Sequence, residues 1–182
     1  MKKLIFLTLL FAAATILSAA EAPVIKMSAG IDSGFNKPYG AAWWLHRALS
    51  VKGSKAVIVR EGENKYLKVE IPADKKKNAN IVCDIPFLPL KGATLEISAK
   101  MKGKGTLSFN FYTYEKSGKY VGIYGTGKRH SIASDKWQEY KDSFSFAKLP
   151  ARVGQLRLVL IAGNGSKIAV DDVKLVAVKG KK

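Results

Sequence analysis

TLEISAKMKGKGTLSFNFYTY, residues 94 to 114, alternates apolar and polar side chains on both sides of a glycine-lysine interruption, and a period of two describes strands, not a helix. Leu95, Ile97, Ala99 and Met101 fall on one face, with Glu96, Ser98 and Lys100 on the other. Beyond the interruption, Leu107, Phe109 and Phe111 form the apolar set, and Ser108, Asn110, Tyr112 and Tyr114 share the opposite face. The pattern predicts two strands joined by a turn at Lys102 to Gly105. A merely solvated strand face favours Lys, Glu and Thr. Amides and tyrosines in one row make a surface that stacks and hydrogen-bonds.

The same pattern extends outward. From Ala56 the chain breaks into short runs: AVIVRE, YLKVEIP, NIVCDIP, KYVGIYG, WQEYKDSFSF, QLRLVLIA and KIAVDDVKLVAV. They are separated by turn sequences such as EGEN, EKSGK and GNGS, and no stretch sustains helical spacing. Many short strands with regular turns mean an all-β sandwich or barrel. In QLRLVLIA, Leu156, Leu158 and Leu160 point inward, leaving Gln155, Arg157, Val159 and Ile161 outside. An outer face that is half apolar calls for a loop or a ligand to cover it. Upstream, alternation through NKPYGAAWWLHRALS sends Trp43 and Leu45 to one side and Trp44 and His46 to the other. One tryptophan then belongs to the core and Trp44 is the candidate stacking platform, with closure of the sandwich end as its plainer role.

Lys2 and Lys3 precede the apolar run LIFLTLLFAAATIL, and small residues at 18 to 20 offer a cleavage point before Glu21. This is the pattern of a secretory signal peptide, with a run shorter than a spanning helix needs. The expected product is secreted or periplasmic, in the cell envelope. The remainder, about 160 residues, suits one domain. Cys83 is the only cysteine, so no internal disulfide forms and stability rests on packing. The formal net charge is +17, or +15 once the two leader lysines are subtracted. Such a surface attracts anions, or serves only solubility. Export argues against nucleic acid and in favour of acidic polysaccharide or an anionic envelope surface.

GIYGTGKR, residues 122 to 129, has P-loop spacing, but Arg129 stands where the magnesium-binding hydroxyl is required and no helical pattern follows. Nucleotide binding is therefore rejected. The segment reads as a glycine-rich loop with Tyr124 at its base and Lys128, Arg129 and a solvated His130 at its tip, placed to rim a neighbouring site.

Four features together resemble carbohydrate-binding modules of the galactose-binding-like jelly-roll superfamily: Gly92 to Ser98, the turn at Lys102 to Gly105, Trp137 to Tyr140, and Val170 to Leu175. The resemblance covers roughly residues 35 to 178. It implies a single jelly-roll β-sandwich of two antiparallel sheets, after a signal peptide at 1–20 and an N-terminal segment at 21–34, and before a basic tail at 179–182. It also implies a structural calcium ion held in part by Asp171. Here the chain departs from the pattern, because no acid follows Phe35 and calcium takes six to eight oxygen ligands. A buried or edge carboxylate accepting backbone N–H groups near the strand start is the other role for Asp171 or Asp172.

The expected function is non-catalytic recognition of a polysaccharide or oligosaccharide, of the acidic class if charge decides, with no cofactor. Sugars present apolar C–H faces ringed by hydroxyls, so their sites pair flat aromatic rings with converging amides, carboxylates or guanidinium groups. The candidate residues are Trp44, His46, Asn110, Tyr112, Tyr114, Tyr124 and Arg157, with Gln155 and Tyr120 beside them. The alternatives are a small polysaccharide lyase or hydrolase, with Tyr124, Arg129 and His130 as an imaginable lyase set, and an adhesion module of the envelope. The sequence contains no nucleophile motif and no cluster of metal ligands.

Overall fold

The computed structural model describes residues 24–26, 34–37, 40–46, 49–73 and 78–179. The expected signal peptide and the last residues of the basic tail lie outside them. Ten strands carry the fold: β1 (Val24–Lys26), β2 (Trp43–Leu45), β3 (Lys55–Glu61), β4 (Asn64–Glu70), β5 (Ala79–Cys83), β6 (Ala93–Tyr114), β7 (Tyr120–Gly125), β8 (His130–Ser145), β9 (Gln155–Ala162) and β10 (Lys167–Lys179). No helix among the described residues is long and apolar enough to cross a membrane.

The expected turn at Lys102 to Gly105 is absent: β6 runs unbroken through it for 22 residues. Gly103 and Gly105 have φ of 116° and 143°, and they bring β6 so close to the next strand's start that a Cβ on either would run into Lys167 or Ser166. The glycines serve as a bend within one strand. On one side β6 pairs with β10 through residues 93–104 and then with β9 through 107–114. On its other side it pairs first with β8 and then with β7. Two arms result, β3-β4-β10-β6 and β2-β5-β9-β6, hydrogen-bonded into one continuous, nearly closed sheet where two separate sheets were expected.

Two further boundaries differ from the sequence reading. β1, within the expected N-terminal segment, pairs antiparallel with the end of β10, Val24 opposite Val178, so the sheet begins before residue 35. β8 begins at His130, in the expected loop, because Leu107 of β6 offers it a ladder partner there.

The alternating apolar sets of both arms meet in a single core. Leu95, Ile97, Met101, Leu107, Phe109 and Phe111 of β6 are at most 1% exposed, as are Leu156, Leu158 and Leu160 of β9. Trp43 is fully buried against Phe35, ring centroids 5.3 Å apart. Cys83 is a free, buried thiol in the same core. With residues as large as Trp43, Phe109 and Phe111 inside, burial supplies the stability that no disulfide provides.

Candidate functional site

Every second residue of β2, β5, β9 and the latter half of β6 is left facing away from the core, and the pairing registers stack these residues into one surface. Trp44 lies opposite Val82, Val82 opposite Val159, and Val159 opposite Asn110. One row further on, Asn80 lies opposite Ile161 and Ile161 opposite Ser108, while Tyr112 and Tyr114 pair with Arg157 and Gln155. The half-apolar outer face is thus covered by its own neighbours: Val82, Tyr112 and Val159 form a second buried cluster with Trp44, Tyr114 and Ile161 packed against it.

Rings run along this surface in sequence. Trp44 and His46 stack with centroids 5.1 Å apart, and His46 meets the edge of Tyr112 at 6.1 Å. Tyr120, at the start of β7, lies 6.1 Å from Tyr112 and 5.7 Å from Tyr114. The guanidinium of Arg157 sits over the Tyr114 ring at 5.1 Å, and its Nη1 forms an ion pair with Asp84 at 2.5 Å. Tyr120 is 53% exposed and Tyr112 only 5%, so the row grades from open to embedded.

The polar groups between the rings are fixed. Asn80 donates its Nδ2 to the Tyr112 hydroxyl at 2.8 Å, while its backbone carbonyl accepts from the His46 N–H and its own N–H donates to Ser50 Oγ. The Asn110 amide donates to Ser108 at 2.9 Å and lies over Gly125, where a Cβ would collide with it. Burial pushes the Tyr112 and Tyr114 phenols above the usual tyrosine range, against opposing effects of Asn80 and Arg157 respectively. Both therefore keep their O–H protons at neutral pH. Two buried nitrogens on this surface, His46 Nδ1 and Arg157 Nε, have no hydrogen-bond partner among the described residues. An unpaired buried polar atom costs stability unless something else satisfies it.

Trp44, His46, Asn110, Tyr112, Tyr114 and Arg157 are thus brought together as expected, but Tyr124 is not. It pairs with Phe111 and packs on the core side, because a bulge between Thr113 and Tyr114 shifts the β7 register and reverses which residues face out. Tyr120 and Ile123 take the outward positions. Asn80 and Asp84 belong to the surface and were not singled out in the sequence; only the register across β5 and β9 reveals them.

The GTGKR loop does not rim this surface. Lys128 lines a cleft with Glu96, Ser98, Lys141 and Asp142 of the other arm. His130 is not a solvated tip but is 6% exposed, packed edge-on to Phe109 at 5.6 Å and Tyr140 at 5.5 Å. Burial holds it below the usual histidine range, although Asp142 Oδ2, 3.5 Å from its Nε2, opposes the shift. With Tyr124 packed on the core side and His130 buried, the imagined lyase set is not assembled.

Both carboxylate oxygens of Asp171, the expected calcium ligand, accept hydrogen bonds from protein groups. Its Oδ2 accepts from the Asn64 amide at 3.0 Å and its Oδ1 from the Asp172 N–H at 2.7 Å. Asp172 pairs with Lys100 at 2.8 Å and Lys174 at 3.4 Å, and the Lys100 hydrogen bond holds its carboxyl below the usual range. Among the described residues no three His, Cys, Asp or Glu side chains converge. Asp171 instead holds the backbone of Asp172, whose φ is 54°, at the β10 bulge.

The fold is an all-β, nearly closed sheet carrying an aromatic, hydrogen-bonding strip on one arm. No protein-family model and no curated protein matches the chain. Among solved structures, it is similar to the CBM22-1 xylan-binding domain of Paenibacillus barcinonensis Xyn10C, with 14% identity, TM-score 0.56, and 90% of this chain and 100% of that one covered. It is similar also to the family 11 carbohydrate-binding module of Clostridium thermocellum in complex with a β-1,3-1,4-mixed-linked tetrasaccharide, with 16% identity, TM-score 0.56, and coverage of 86% and 96%. A cyclase from Fischerella sp. TAU matches at 10% identity and TM-score 0.53, covering 88% of this chain and 100% of that one. Against some longer chains the match spans only 21 to 23% of their length. At such identities the likeness shows the fold alone, one shared by these carbohydrate-binding modules and the cyclase, and leaves function to the site.

Proposed function

We propose that the protein is a non-catalytic carbohydrate-binding module that works outside the cytoplasm and receives a polysaccharide along the strip from Trp44 to Tyr120. The observation that carries this reading is the run of ring contacts at 5.1 to 6.1 Å beside the half-exposed Arg157–Asp84 pair. Rings offer surface to sugar C–H faces. The outer part of the Arg157 guanidinium, the Tyr114 hydroxyl and the Asp84 carboxylate offer the directed bonds that hydroxyls require. Arg157 is held between the Tyr114 ring and Asp84 before any ligand arrives, which limits the ordering cost of binding.

Affinity electrophoresis of the purified protein in gels containing xylan, mixed-linked β-glucan or a uronate polymer tests the proposal. Retardation by at least one polymer is expected, and Trp44→Ala or Tyr114→Ala should weaken it by roughly tenfold or more while the protein stays folded, as losing one stacked ring generally does. If no polymer retards the protein, or both variants bind unchanged, the strip is not a glycan site.

A further inference from the structure

The net positive charge of the chain is not spread evenly along the strip. At its centre Arg157 is neutralised by Asp84. At the Tyr114–Tyr120 end the situation is different. These two tyrosines are joined by the tight hairpin EKSGK, residues 115 to 119, closed by Glu115 N–H to Lys119 carbonyl at 2.8 Å and Gly118 N–H to Glu115 carbonyl at 2.9 Å. The turn before β9 docks beside it: Gly154 donates its N–H to the Tyr114 carbonyl at 2.8 Å, and the stem of Lys116 covers Gly154. This second turn, KLPARVG, contains Arg152 and no acid. Lys116, Lys119 and Arg152 are exposed and form no ion pair among the described residues. The single acid of the hairpin, Glu115, accepts a hydrogen bond from Ser117.

We infer that the bound polysaccharide has an uncharged main chain along the strip and bears anionic substituents, carboxylate or sulfate, which Lys116, Lys119 and Arg152 read at the Tyr120 end. The inference rests on the strip being a glycan site. A fully charged polymer would gain nothing where Asp84 cancels Arg157, and a fully neutral one would leave three cations idle beside the most exposed ring of the row. The acidic-ligand argument made from composition thereby acquires a location. That location is the EKSGK hairpin, on the opposite flank of β7 from the GTGKR loop.

The experiment compares a xylan with its uronate-substituted form and a β-glucan with its sulfated form in affinity electrophoresis, for three forms of the protein. These are the natural chain, a triple variant Lys116→Gln, Lys119→Gln, Arg152→Gln, and a control Lys128→Gln, Arg129→Gln that removes cations on the other arm. The natural chain should bind a substituted polymer roughly three- to tenfold more tightly than its neutral counterpart, the range expected of a few screened surface pairs. The triple variant and high salt should each abolish that preference while leaving neutral binding intact. The control should keep it. Comparing the uronate and sulfate polymers identifies the substituent. Equal binding of neutral and charged polymers overturns the inference, as does a preference that survives the triple variant or is lost equally in the control. If every polymer fails to bind, the glycan reading itself falls, which is a separate outcome.

Discussion

The bond between Asn80 and Tyr112 ties the strip to the sheet beneath it, and its energetic worth can be worked out from its setting. Tyr112 is 5% exposed and Asn80 9%, and the bond is 2.8 Å long. In Tyr112→Phe the ring stays, but a buried Asn80 N–H loses its acceptor, and a buried unsatisfied donor costs roughly 1–3 kcal/mol. In Asn80→Ala the tyrosine hydroxyl is stranded instead, at a similar cost of about 1–3 kcal/mol. Once either partner is gone the second change removes nothing further from that bond. The double variant should therefore fall short of the sum of the two singles by about 1 kcal/mol. Urea denaturation of the four proteins, with midpoint shifts at constant slope, measures this. Strict additivity would refute the reasoning, because it would mean that packing alone holds the ring.

Gly103→Ala should destabilise the protein by roughly 2–4 kcal/mol, because it adds strain at a φ of 116° and drives a methyl into the Lys167 carbonyl. At this chain length that is a fall of about 5–10 °C in melting temperature by calorimetry; an unchanged melt would mean the bend is not needed. His130 should make stability depend on pH in one direction. Burial depresses its folded pKa, so below the unfolded histidine value of about 6.5 the unfolded chain binds the proton first and stability declines as pH falls through the folded value. Denaturation midpoints at pH 7.5 and 5 should diverge more for the natural chain than for His130→Gln, and equal slopes would sink the argument.

Much of the strip was legible because period-two alternation is local. Leu107, Phe109 and Phe111 on one side and Asn110, Tyr112 and Tyr114 on the other need no knowledge of the partner strand. Trp43 inside and Trp44 outside follow by the same rule. What alternation cannot supply is the register between strands. Tyr120 and Tyr124 share a parity and so a face in an unbroken strand, yet one bulge puts Tyr120 outside and Tyr124 inside. Asn80 looked like the unremarkable start of an apolar strand until β5 was set two strands away from Tyr112. KGKG carries turn chemistry, and the glycines do accommodate a sharp change of path. Whether a chain reverses or merely bends there depends on the neighbours available afterwards, and β6 finds β9 and β8 where a hairpin would have returned to its own start.

The 22 residues of β6 give both arms a common spine, and this shapes how the module would respond to load. Releasing either arm breaks ladder bonds on the same strand that holds the other, so there is no seam along which half the domain can come loose. Binding energy gained at the tyrosine strip would protect the distant β3–β4 edge as well, and protease resistance at that edge should report occupancy of a surface it never touches.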